Sequence, residues 1–147
     1  MEPKLINTMK TKFLAVICVI VLAGLQSCSC KKGAEAVTEL SKSSWELAEI
    51  NGKAINKPDY AKIPELKFDP SESRVSGNSG CNSISGTFKV EEDKITFGPV
   101  AQTKMACEGS GENQFTTAFN TVQKFKLGNK LYFYDGSGNK VLCFTKK

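Results

Sequence analysis

The stretch Gly77-Asn78-Ser79-Gly80-Cys81-Asn82-Ser83-Ile84-Ser85-Gly86-Thr87-Phe88 decides how the chain folds. Its three glycines and two asparagines tolerate positive φ and suit tight turns and bulges. Val75, Ile84, Phe88 and Val90 supply apolar side chains on either side, so the stretch reads as turns between strands. Cys81 stands in its middle, and a second cysteine closes Gln102-Thr103-Lys104-Met105-Ala106-Cys107. A bond between the two sulfurs would tie distant strands together.

Working outward, short strand patterns recur on both sides. Toward the N-terminus, Trp45 to Ile50 alternates apolar and mostly polar residues and meets Asn51-Gly52, a half-buried strand entering a hairpin turn. Lys57 to Pro64 reads as a loop, Glu65 to Phe68 as a strand, Asp69-Pro70-Ser71 as a turn and Arg74 to Gly77 as the answering strand. Toward the C-terminus, Ser83 to Val90 pairs with Lys94 to Phe97 across Glu91-Glu92-Asp93, and Val100 to Ala106 is expected as a further strand. Phe115, Phe119 and Val122 share one helical face and predict a helix over 112–122, with Ser110 and Glu112 at its start. Three strands follow, Gln123 to Leu127, Lys130 to Tyr134 and Lys140 to Thr145, separated by Gly128-Asn129 and Asp135 to Asn139. The sum is an α+β domain: an antiparallel, barrel-like sheet of about eight short strands, with one helix packed against or plugging it. Phe68, Phe88, Phe97, Phe115, Phe119, Phe125 and Phe133 are expected to fill much of the core.

The first residues set an address. Lys4, Lys10 and Lys12 precede an unbroken apolar run from Phe13 to Leu25, the form of a secretory signal and too short for an ordinary membrane span. The run ends in Leu25-Gln26-Ser27-Cys28, which resembles a bacterial lipobox. That resemblance implies a signal peptide over 1–27, cleavage before Cys28 and acylation of Cys28. A soluble secreted protein cut nearby is the other reading. Ser29 in place of aspartate favours the outer membrane, with the body facing the periplasm. Residues 28–43, rich in Lys, Glu, Ala and Ser, read as the lipidated cysteine and a tether that could wind into a short helix; the folded domain is expected over 44–147.

Composition narrows the chemistry. The 147 residues contain no histidine, which removes Ser-His-Asp and Cys-His catalysis and His-ligated zinc. The formal charge is +5, of which the leader holds part, leaving about +3 on residues 28–147. Lys and Glu are interspersed and the one arginine is Arg74, so a nucleic-acid face is not expected. Cys81 and Cys107 have three readings: a structural disulfide, which an oxidising envelope favours, a pair of buried thiols, or a redox or nucleophilic role. Cys143 alternates with Leu142 and Phe144 and reads as buried and inert, a Cys30–Cys143 bond being the alternative. Zinc on four thiols would need closely spaced pairs, and the chain has none at that spacing. Asp135-Gly136-Ser137-Gly138-Asn139 lacks the glycine and glutamate of a calcium loop and reads as a hairpin turn. Gly77, Gly80 and Gly86 form neither a P-loop nor a dinucleotide fingerprint. No cofactor or metal is expected.

The order Trp45-x-Leu47, Ile50-x-Gly52, Pro64-x-Leu66-x-Phe68, Val75-x-Gly77-x-x-Gly80-Cys81-Asn82-x-x-x-Gly86-x-Phe88, Ile95, Thr103-x-Met105-Ala106-Cys107, Phe115 and Leu131 resembles the META domain family, to which the heat-shock lipoprotein HslJ belongs. Its most specific parts are Gly80-Cys81-Asn82 with Gly86, and Thr103 to Cys107. The resemblance covers about residues 43–145 and implies a small barrel-like domain without established catalysis. It further implies a non-enzymatic envelope protein linked to stress response or antibiotic tolerance. The alternative is a binding module for a hydrophobic ligand or lipoprotein acyl chain, in the manner of secretin pilot lipoproteins. Partners expected on this basis are the membrane, through the lipid, and an envelope protein or hydrophobic ligand, with the chain itself a monomer.

Overall fold

The computed structural model describes residues 29–147; the expected signal peptide over 1–27 and Cys28 lie outside the described residues. Chain order runs α1 (Ser29–Ser41), β1 (Trp45–Ile50), β2 (Lys53–Ala54), a 3-10 turn (Lys57–Asp59), β3 (Glu65–Asp69), β4 (Arg74–Asn78), β5 (Ser83–Glu91) and β6 (Lys94–Phe97). It continues with β7 (Ala101–Gln102), α2 (Gly111–Phe119), β8 (Lys124–Leu127), β9 (Lys130–Tyr134) and β10 (Lys140–Lys146). Eight of these strands close an antiparallel barrel in the order β10-β9-β8-β6-β5-β4-β3-β1, and β1 pairs back onto β10. The short β2 and β7 hang on β1 and β5. The predicted α+β barrel is therefore the observed one, with a second helix added.

Strict alternation fixes which residues enter. Leu66 and Phe68 on β3, Val75 on β4, Ile84 and Phe88 on β5, and Leu131 and Phe133 on β9 are all buried, and their sequence neighbours face outward or are only partly covered. Inside, five rings form a closed circuit. Phe97 meets Phe119 at 4.5 Å, Phe119 meets Phe115 at 5.6 Å, and Phe115 meets Phe144 at 6.5 Å. Phe144 then meets Phe133 at 5.6 Å and Phe133 returns to Phe97 at 5.8 Å. Edge-on, tilted and stacked contacts of this kind fill space densely.

The two helices close opposite mouths. Helix α2 inserts Phe115 and Phe119 beside the end of β6, plugging one opening. It is shorter than the predicted 112–122: the chain leaves the helix after Phe119, and Val122 still reaches the core through a turn in which its N–H donates to the Phe119 carbonyl. Helix α1 lies over the other mouth, between the β8–β9 turn and the β5–β6 turn. The expected tether is thus a helix with its last turn in the core. Leu40 is fully buried, Ala36 and Val37 pack beside it, and the Trp45 indole N–H donates to the Leu40 carbonyl at 2.9 Å.

The strands expected from Arg74 to Gly77 and from Ser83 to Val90 are β4 and β5, so only residues 79–82 of the opening stretch form the turn between them. One strand expectation shifts. The strand expected from Val100 to Ala106 is confined to Ala101–Gln102, because beyond Thr103 the segment is held by the Asn82 side chain rather than by a strand backbone.

Candidate functional site

The motif residues gather where the β4–β5 turn meets the segment between β7 and α2. Ser79 opens the turn, its N–H donating to the Asn82 carbonyl at 2.8 Å. Gly77 and Gly80 are glycine for want of room. A Cβ on Gly77 would stand 1.8 Å from the Glu65 carbonyl oxygen across the β3–β4 ladder. At Gly80, φ is +111° and a Cβ would meet the Tyr60 ring at 2.6 Å. Gly86 sits within β5 opposite Val75.

Asn82, 4% exposed, is the hub. Its Oδ1 accepts from the Met105 N–H at 2.6 Å and from the Thr103 hydroxyl at 2.8 Å. Its Nδ2 donates to the Met105 carbonyl at 3.3 Å and to the two Glu112 oxygens at 3.0 and 3.1 Å. The side-chain amide thus does for Met105 what a neighbouring strand would do, offering donor and acceptor together. Neither aspartate nor leucine can do that. Thr103 completes the join, its N–H donating to the Ser83 carbonyl and its hydroxyl oxygen accepting from the Ser83 N–H, each at 3.1 Å. This pairing through side chains is why the regular strand stops at Gln102.

Glu112, in the first turn of α2, anchors the cluster from the other side. Its carboxylate accepts from the Ser79 hydroxyl, from the Asn82 N–H at 3.2 Å and from Gln102 Nε2 at 2.7 Å, besides Asn82 Nδ2. Burial pushes the Glu112 carboxyl upward, but the bonds from Ser79, Asn82 and Gln102 outweigh it and hold it below its ordinary value. Sequence reasoning assigned Glu112 to the helix start alone and missed Ser79 and Gln102. The short polar run around Cys81 was the available signal, and its partners lie 10 to 33 residues away in sequence.

Cys81 and Cys107 are bonded, with Cα atoms 6.0 Å apart. The bond joins the β4–β5 turn to the segment before α2, so the first of the three cysteine readings holds. Cys143 carries a free, buried thiol, so the Cys30–Cys143 alternative is not formed. Burial raises the Cys143 pKa, which keeps it protonated and unreactive. Asp135 to Asn139 is the hairpin turn expected, the Asp135 carboxylate accepting from the Ser137 and Asn139 N–H groups. The turn half of the motif is buried and residues 103–106 are exposed: the Met105 backbone is pinned by Asn82 while its side chain is 58% exposed. Among the described residues no group of His, Cys, Asp or Glu is placed to hold a metal, and no buried side-chain polar atom lacks a partner.

Beside this cluster the barrel wall parts. β6 and β8 share one paired position, Lys94 with Lys124, and beyond it the chain turns into α2. A cleft of about 640 Å³ opens there, lined among others by Phe97, Val100, Phe119 and Val122.

The META domain model matches residues 38–147, three quarters of the chain. The chain belongs to the META domain family. The residues that carry the family resemblance are the ones that build the hub, Gly80-Cys81-Asn82 and Thr103 to Cys107. No curated protein sequence matches the chain. Solved structures show the same fold. One protein solved by NMR is 22% identical, with a TM-score of 0.61 over 75% of this chain and 93% of that one. A second, from Burkholderia xenovorans, is 22% identical at a TM-score of 0.59, over 77% and 87% of the two chains. A DUF4847 family protein from Bacteroides vulgatus is 14% identical at 0.56, over 76% and 97%. The META match begins at residue 38, so it takes in the buried end of α1.

Proposed function

We propose that this META domain protein is a non-enzymatic, lipid-anchored component of the bacterial cell envelope, acylated at Cys28 and held at the outer membrane as a stable docking module. The observation that carries the reading is the hub itself. The Asn82 side-chain amide is spent on Thr103, Met105 and Glu112, and both oxygens of Glu112 accept from the β4–β5 turn or Gln102, next to a disulfide that offers no thiolate. A carboxylate held anionic by several donors is a weak base, and no imidazole is present to replace it. Such a site stabilises structure. The lipobox-like Leu25 to Cys28 supplies the anchor, and the family resemblance supplies a role in envelope stress or antibiotic tolerance. Intact-mass measurement of the membrane-extracted protein tests the anchor: a diacylglyceryl mass on Cys28, lost in Cys28→Ser together with membrane retention, is expected. An unmodified soluble product overturns it.

The β6–α2 cleft favours a second reading, a binding module for a hydrophobic ligand such as a lipoprotein acyl chain. The five-ring circuit argues that such a ligand would lie in the parted wall rather than inside the barrel. Native mass spectrometry decides it: co-purified lipid lost in Val100→Asp supports the carrier, and a ligand-free protein rejects it.

A further inference from the structure

Lysines that look scattered in sequence come together once the register is drawn. Four neighbouring barrel strands, β6, β8, β9 and β10, contain six lysines and no aspartate or glutamate. Lys94 stands opposite Lys124, Lys124 opposite Tyr134, and Tyr134 opposite Lys140, so one outward row crosses all four strands. The adjacent row sets Lys126 beside Tyr132, and the Lys140 ammonium lies 5.6 Å from the centre of the Tyr132 ring.

Acids border this face without entering it. On one side Glu49 of β1 holds Lys140 at 2.7 Å and Lys130 at 3.7 Å. On the other, Glu91 of β5 holds Lys89 at 2.6 Å and stands opposite Lys94 across the β5–β6 pair without forming an ion pair with it. Among the described residues Lys124 and Lys126 have no ion-pair partner either, and all three lysines are exposed. Like charges directly opposite on a sheet destabilise it, so Lys94 against Lys124 is a feature the fold itself would avoid.

We propose that this face rests on an anionic phospholipid surface. Ammonium groups on long, mobile stems suit a headgroup layer, where the charges meet phosphate without needing stacked rings. A nucleic acid fits less well: Tyr132 and Tyr134 lie half-buried in the sheet and cannot stack bases, and the one arginine is on β4. The inference rests on the reading that the chain is held at a membrane.

The test reconstitutes the full chain with vesicles of phosphatidylcholine alone or of phosphatidylcholine with phosphatidylglycerol. Lysine acetylation by a water-soluble reagent is then followed site by site. Lys94, Lys124 and Lys126 are expected to react about fivefold more slowly on the anionic vesicles, and high salt should erase the difference. Lys57 and Lys104, outside these strands, should react alike on both. In the Lys94→Gln, Lys124→Gln, Lys126→Gln protein, Lys130 and Lys140 should lose their vesicle dependence while the melting temperature stays level or rises. Equal labelling on both vesicle types overturns the proposal, and so does equal protection by a soluble oligonucleotide. Flotation with neutral vesicles in high salt reports anchoring separately: a chain that fails to float overturns the anchor, while the low-salt anionic arm still tests the face.

Discussion

Asn82 and Glu112 show how much one pair of polar side chains can organise. Asn82→Ala removes the donor–acceptor pair that reaches Met105 and leaves its partners unpaired, so it should cost about 2–3 kcal/mol by denaturant unfolding. Asn82→Asp, which keeps the acceptor but brings a second carboxylate against Glu112, should recover none of that loss at neutral pH. The Glu112 carboxyl is held below its unfolded value of about 4.3, so its contribution is fully present above that pH and fades as pH falls through the folded value. The stability gap between wild type and Glu112→Gln should therefore be widest near neutrality and narrow in acid. A gap that is flat with pH would remove the carboxylate from the account. Gly77→Ala is the backbone counterpart: its Cβ cannot coexist with the Glu65 carbonyl, and the β3–β4 ladder must part at a cost of about 3 kcal/mol or more.

The disulfide acts as a strap on an element that otherwise has little to hold it. Residues 101–106 are exposed throughout and form only two strand positions. Opening a bond that spans 26 residues should lower stability by about 3–4 kcal/mol and expose Lys104 to trypsin at native temperature. Helix α1 is an element of the other kind, light in apolar content yet part of the core. Leu40→Ala should cost about 2–4 kcal/mol, and a chain cut at residue 44 should melt well below the full body. The strands were legible in sequence because alternation and paired turns such as Asn51-Gly52 and Asp135 to Asn139 are local signals. Helix α1 was not, since Ala36, Val37 and Leu40 are too few to mark an apolar face beside so many lysines and glutamates. The hub was half legible: Gly80-Cys81-Asn82 marked its centre, but nothing near Asn82 in sequence announces Glu112, and tertiary proximity alone joins them.

At the scale of the whole barrel the same limit applies to charge. Interspersed lysines suggested an ordinary solvated surface, and only strand register sets Lys94 against Lys124. Lys124→Glu should convert that repulsion into an attraction and raise stability by about 0.5–1 kcal/mol, measured by thermal unfolding at low salt. Closure has its own bearing on how the molecule is made. The earliest strand, from Trp45, completes its hydrogen bonding against the last, ending at Lys146. A polypeptide leaving the ribosome therefore cannot close this structure until β10 has emerged, about a hundred residues after β1, and it stays threadable through a narrow pore until then. Loss of even the terminal strand would yield an open sheet with two sticky margins rather than a smaller cylinder.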